Sequence, residues 1–100
     1  MAIEGLQDLS LLTVEELYAV YVDVAASDSD WRRKTMYGDT QPPPGHSEIR
    51  PLPFDLFHQR FLVAQGTAGG EARIRQRLSR QAAAYRVDVE SAVTRIQQAA

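Results

Sequence analysis

Residues 13–24 read TVEELYAVYVDV, and two periodicities compete within them. Tyr18, Val20, Val22 and Val24 alternate, the pattern of a half-buried strand rich in β-branched residues. Val14, Leu17, Tyr18, Tyr21, Val24 and Ala25 instead recur at helical spacing and make one apolar face. The start of the stretch decides between them. The Thr13 hydroxyl can accept one of the backbone N–H groups left unpaired at a helix start, and Glu16, three residues on, completes a capping box. Leu12 and Leu17 stand at the two positions of a hydrophobic staple, and Glu15 and Glu16 suit the positive end of the helix dipole. The spacing therefore predicts a helix from Val14 and an all-α fold.

The segment ASDSD, residues 26–30, is expected to end or kink that helix, with Ser27 or Ser29 capping a second piece, DWRRKTMYG, that runs to Gly38. Asp28 is the one polar intruder on the extended apolar face. The expectation is helix over most of 14–36, with a break near 27–29 as an alternative.

GDTQPPPGHSEIRPLP, residues 38–53, holds all five prolines of the chain. A residue before proline is pushed out of the helical region, so Pro42, Pro43 and Pro44 are expected as an extended polyproline strap over 38–52. A loop longer than about 12–15 residues is unusual in a compact domain. The strap is either a spacer across a helix pair or a contact for a partner.

Pro53 fits the first position of a second helix over 53–65, where its missing N–H is no loss. Phe54, Phe57, Phe61 and Ala64 form one stripe of that helix, and Leu56 and Val63 point to roughly the opposite side. A short helix that is apolar on two sides has to be sandwiched, within its own fold or against a partner. GTAGG, 66–70, reads as a flexible joint.

Beyond it, EARIRQRLSRQAAAYRVDVESAVTRIQQAA, residues 71–100, contains neither proline nor glycine. Ile74, Leu78, Ala82, Tyr85, Val89, Val93 and Ile96 share one face, with a repeat nearer eleven residues than seven. This predicts one long helix over 70–98, about 38 Å or more at about 1.5 Å per residue. Such a helix would cross the whole domain or project to pair with another chain. Val87, like Leu56 and Val63, faces away from the main stripe.

The chain has 100 residues, 44% hydrophobic and 24% charged, which fits one small globular domain with a modest core. It has no cysteine, so disulfides, thiolate nucleophiles and cysteine-ligated metals are excluded. The acidic N-terminus lacks the basic region of a secretory signal, no apolar run approaches bilayer length, and a cytoplasmic protein is expected. The net charge of −2 conceals an asymmetry. Residues 1–30 carry seven acids and no Lys or Arg, whereas residues 31–100 hold all eleven basic groups against six acids. An acidic front can pack on a basic rear within one molecule, or between copies.

Catalytic motifs are absent. His46, Glu48, Asp55 and His58 match no spaced metal motif, and the expected roles are a solvated His46 and a His58 at the edge of an apolar face. No serine sits in a nucleophile elbow, and the glycines make no phosphate-binding spacing. No catalytic residue, metal or cofactor is expected. Arg73, Arg75, Arg77, Arg80 and Arg86 occur with no acid between Ala72 and Val87. Arg73, Arg77, Arg80 and Arg95 would share one flank of a continuous helix, which could follow a phosphate backbone.

The sequence therefore predicts three helices joined by a proline strap and a glycine joint. The function it suggests is a non-enzymatic interaction or assembly component, binding a protein partner or further copies of itself. The expected interface is Leu56, Val63, Pro42, Pro43, Pro44 and the seam residues Ile74, Leu78, Tyr85, Val89 and Ile96. The alternative is a small nucleic-acid-binding regulator that uses Arg73, Arg77, Arg80 and Arg86. Neither a membrane nor a small-molecule substrate is expected.

Overall fold

The computed structural model describes residues 9–35 and 51–99, and for 32–35 the backbone alone. The polyproline segment with Pro42, Pro43 and Pro44, together with Gly38, His46 and Glu48, lies outside the described residues. Among those described, the fold is all-α with four helices: α1 (Val14–Thr35), α2 (Phe54–Gln65), α3 (Gly70–Ala84) and α4 (Val89–Ala99).

Helix α1 starts as its sequence requires. The Thr13 amide donates to Glu16 Oε1 at 2.8 Å and the Glu16 amide donates to Thr13 Oγ1 at 3.2 Å, a closed capping box. The helix then continues through ASDSD to Thr35, much as the 14–36 helix was expected to run, and the alternative of a break at 27–29 does not form. Ser29 returns its hydroxyl to the Ala25 carbonyl at 3.2 Å, so the serine pairs with the helix backbone rather than capping a new start. Asp28 is 1% exposed and accepts a 2.6 Å hydrogen bond from the Tyr85 hydroxyl. The polar intruder is thus a partnered core residue.

Helix α1 packs against all three other helices, most extensively against α4. The two competing periodicities of 18–24 are settled in favour of the helix. Leu17, Val20 and Val24 are all 0% exposed, while Tyr18 and Tyr21 are partly covered by the same core. Val20 and Val24 share the helical stripe of Leu17, whereas Val22, the member of the alternation that falls off that stripe, is 36% exposed.

Helix α2 begins one residue later than expected. Pro53 is its N-cap, with φ −58° and ψ 153°, and its carbonyl accepts the Phe57 amide at 3.1 Å. Phe57 and Phe61 are buried. The joint after α2 is a closed turn. The amides of Gly66 and Thr67 donate to Val63 and Ala64 carbonyls, and the Gly70 amide donates to Thr67 at 3.2 Å. Gly69 takes φ +72°, and a Cβ on Gly70 would stand 2.4 Å from the Ala64 carbonyl oxygen. The two glycines are there for backbone shape and close approach as much as for freedom.

The largest departure from expectation is at 85–88. The single helix over 70–98 is two helices, and α4 folds back onto α1. Helix α3 ends in a Schellman motif: the Val87 amide donates to the Ala82 carbonyl at 2.8 Å and the Arg86 amide donates to Ala83 at 3.2 Å. Arg86 occupies the left-handed position, φ 56°, where glycine is usual. Asp88 then caps α4, its Oδ1 accepting the Ser91 amide at 3.1 Å and its Oδ2 the Ser91 hydroxyl at 2.8 Å. Those bonds hold the Asp88 carboxyl below its ordinary pKa. The reversal buries Val89 and Ala92 in the core shared with Leu9, Leu17, Val20, Val24, Phe57, Phe61, Leu78 and Ala82. Val87 also packs against this core rather than facing away from it.

Two outcomes follow from the turns. Gly70→Ala should destabilise the protein by about 1–3 kcal/mol in urea titrations, because the added methyl meets the Ala64 backbone carbonyl as well as the Thr67 hydroxyl, and the backbone cannot swing aside. Asp88→Ala should lower the melting temperature by about 4–8 °C near neutral pH. Because the folded-state pKa of Asp88 lies below the ordinary value, its contribution is complete above that ordinary value. It fades as the pH falls through the folded value, so melts of wild type and Asp88→Ala should converge in strong acid.

Candidate interaction surface

The described residues present two surfaces with unused chemistry, the outer side of α2 and one flank of α3. Both are set by contacts on the inner sides of these helices.

Helix α2 is fixed to α1 by an aromatic cluster and a backbone clamp. Tyr18 meets Phe54 and Phe57 edge-on, with ring centroids 5.2 and 5.3 Å apart, and Tyr21 meets Phe57 at 5.1 Å. The two tyrosine hydroxyls also bracket Leu52. Tyr18 donates to its carbonyl at 2.7 Å, and the Tyr21 hydroxyl accepts its amide at 3.0 Å. These tyrosines read as core aromatics in the sequence. Their spacing of three also lets both hydroxyls reach one extended residue just ahead of α2, which no periodicity reports. His58 stacks beside Phe54 with centroids 5.4 Å apart, at the edge of the apolar cluster as expected.

With Phe57 and Phe61 turned inward, the other side of α2 faces solvent. Leu56 is 47% exposed, Leu62 52% and Val63 70%. Leu56 and Val63 are seven residues apart, so they lie nearly in line and about 10 Å apart along the axis. Gln59 and Arg60 are exposed between them, and Asp55 at the end. Leu62, absent from the sequence-based interface, extends the apolar area to one side. A further apolar side chain, Leu11, is 90% exposed in the turn ahead of α1. The seam residues are placed differently. Leu78 and Val89 are buried, and Ile74, Tyr85 and Val93 pack on the chain's own core, with Ile96 partly covered.

The arginine row divides into three. Arg75 faces inward: its NH1 group donates to the carbonyls of Leu9 and Leu12 at 2.6 and 2.9 Å, its other nitrogens donate to Glu71, and its guanidinium lies 5.5 Å from the Phe61 ring centre. It binds the turn before α1 to the α2–α3 pair, and its bond to Glu71 holds that carboxyl below its usual range. Arg73 donates to the carbonyls of Ala68 and Gly69, closing the turn at the start of α3. Arg77, Arg80 and Arg86 are exposed. Arg95, no longer on the same helix, pairs with Asp23 of α1, which raises its pKa further. Gln97 donates to Glu16 at 3.5 Å beside it. The continuous flank of Arg73, Arg77, Arg80 and Arg95 is therefore broken by the reversal at 85–88, while the acidic front of the chain meets its basic rear.

Among the described residues no group of three His, Asp or Glu is placed to hold a metal ion. No helix among them is long and apolar enough to cross a membrane. Comparison with protein-family models, with curated proteins and with solved structures returns no match to this chain.

The clamp on Leu52 gives a direct check on how α2 is positioned. Tyr18→Phe and Tyr21→Phe should each cost about 0.5–1.5 kcal/mol in urea unfolding, since each leaves a Leu52 backbone group without its side-chain partner. The double variant should depart from additivity, because both hydroxyls hold the same residue.

Proposed function

We propose that this chain is a non-enzymatic protein-interaction or assembly component that docks through the outer side of α2. The observation that carries the reading is the pairing of two faces on one short helix. Phe57 and Phe61 anchor it inward, while Leu56, Leu62 and Val63 remain in water. Scattered apolar residues on a surface are ordinary, but three large ones grouped on a 12-residue helix make a patch. Gln59, Arg60 and Asp55 around them supply the polar rim that lets such a patch be soluble when free and specific when covered. The helix-in-groove mode uses this arrangement, with apolar anchors one and two turns apart.

A second reading, nucleic-acid binding, draws on Arg77 and Arg80, exposed on α3 one turn apart, and on Arg86, exposed at the bend that follows. It is weakened by the placement of their neighbours, since Arg73 and Arg95 are engaged within the chain and Arg75 is turned inward. With Arg86 set apart in the left-handed bend, Arg77 and Arg80 form too short a row to release many counterions, so an Arg77→Gln/Arg80→Gln variant should bind heparin at low salt almost as the wild type does.

The docking reading has a plain test. Leu56→Ser and Val63→Ser should shift the melting temperature little, because both side chains are already substantially solvated. Together they should weaken association with the partner, or with another copy, by about tenfold or more, as truncation of interface anchors does. Unchanged capture of the same partner in a pull-down, with the fold intact, would contradict the docking role of α2.

A further inference from the structure

The end of the chain carries two incompatible instructions. Its sequence keeps one apolar seam through Ile74, Leu78, Ala82, Tyr85, Val89, Val93 and Ile96 with no proline or glycine, which suits a straight helix. Its fold breaks that helix at Arg86, a non-glycine residue at φ 56°. A left-handed arginine is strained relative to glycine, and straightening the segment relieves the strain. What holds the bend is local: the Schellman bonds of Arg86 and Val87 and the Asp88–Ser91 cap.

The bend also divides the molecule cleanly. Tyr85 is pinned to α1 through Asp28, so the α3 side of the bend is fixed. Helix α4, on the far side, packs on α1 and has no comparable contact with α2 or α3. Its attachments are Val89 and Ala92 in the core with Val93 packed against it, Arg95 on Asp23 and Gln97 on Glu16. Every one of these would form equally well with the α1 of a second molecule.

We propose that this chain exchanges α4 between two copies, the segment 86–88 straightening so that 70–99 becomes one helix and each α4 covers the partner's α1. Such an exchange makes no demand for a new surface, because the occupied site is the one α4 fills in the monomer. It uses a different element from the α2 docking face, and either can operate without the other.

The absence of cysteine makes the test direct. Asp23→Cys and Arg95→Cys place the chain's only two thiols on either side of the α1–α4 contact. The full-length double variant is refolded under reducing conditions at low and at high protein concentration. It is then treated with a short bifunctional maleimide and run on a denaturing gel. Closed monomers give an internal link. Exchanged dimers give a covalent dimer, and the exchange predicts this band after refolding at high concentration. Arg86→Gly, which relieves the strain without straightening the bend, should reduce the dimer fraction by about tenfold or more. Arg86→Ala with Asp88→Ala, which removes the cap and favours straight helix, should raise it. Internal links alone at every concentration overturn the exchange, whether or not the Ala pair folds. So does a dimer band that Arg86→Gly leaves unchanged. A dimer held by α2 faces leaves the links internal and disappears with Leu56→Ser/Val63→Ser, so the two modes are told apart.

Discussion

The fold depends on covering α1. Leu17, Val20, Val24 and Asp28 are enclosed along one stripe of the helix, and with the buried Ala25 and the partly buried Tyr18 and Tyr21 the covered arc widens to roughly 160° at about 100° per residue. No single neighbour can shield so wide an arc. Helix α3 covers one side with Leu78 and Ala82, α2 another with Phe57 and Phe61, and the remaining side is left to α4 with Val89 and Ala92. Were 70–98 one straight helix, its second half would project from the domain and the α4 side of α1 would be wet. The bend at Arg86 is the structural consequence, and strain at one residue is offset by burial along a whole helix.

Much of this was legible in the amino-acid order, and the parts that were not have physical reasons. The capping box at Thr13 and Glu16 and the inward and outward faces of α2 are local signals, and they hold. The unbroken passage of α1 through ASDSD was hidden because serine and aspartate favour caps only when their side chains lack other partners. Here Ser29 bonds back to Ala25 and Asp28 finds Tyr85. The bend at 85–88 was hidden because its signals are weak ones: an arginine in place of glycine and an Asp-x-x-Ser cap. A seven-residue apolar seam outweighs them when periodicity alone is consulted. The seam residues thus read as a surface for another chain and instead enter the core of their own. The Tyr18 and Tyr21 clamp on Leu52 and the reach of Arg75 to the Leu9 and Leu12 carbonyls join residues far apart in sequence, and no local pattern announces them.

The charge asymmetry finds part of its answer inside the molecule. Asp23 meets Arg95, Glu16 meets Gln97, and Arg75 ties down the turn that leads into α1. The exposed ion pair adds little to stability, but it favours one seating of α4 on α1 over a shifted one. With the rear of the chain occupied in this way, the apolar surface left over is concentrated on α2. Leu56, Leu62 and Val63 are three large apolar side chains on one helix that the described fold leaves largely uncovered, whereas Leu11 is exposed apart from them in the turn before α1.

The central claim is that α4 covers α1 of its own chain across a bend at Arg86. Backbone chemical shifts of the dilute monomer by NMR, with contacts from the Ala92 methyl, address it most directly. The account predicts helical shifts through Ala84, a left-handed signature at Arg86, renewed helix from Val89, and through-space contacts from Ala92 to α1. Uninterrupted helical shifts from 70 to 98 in the monomer, with no contact between Ala92 and α1, would contradict it.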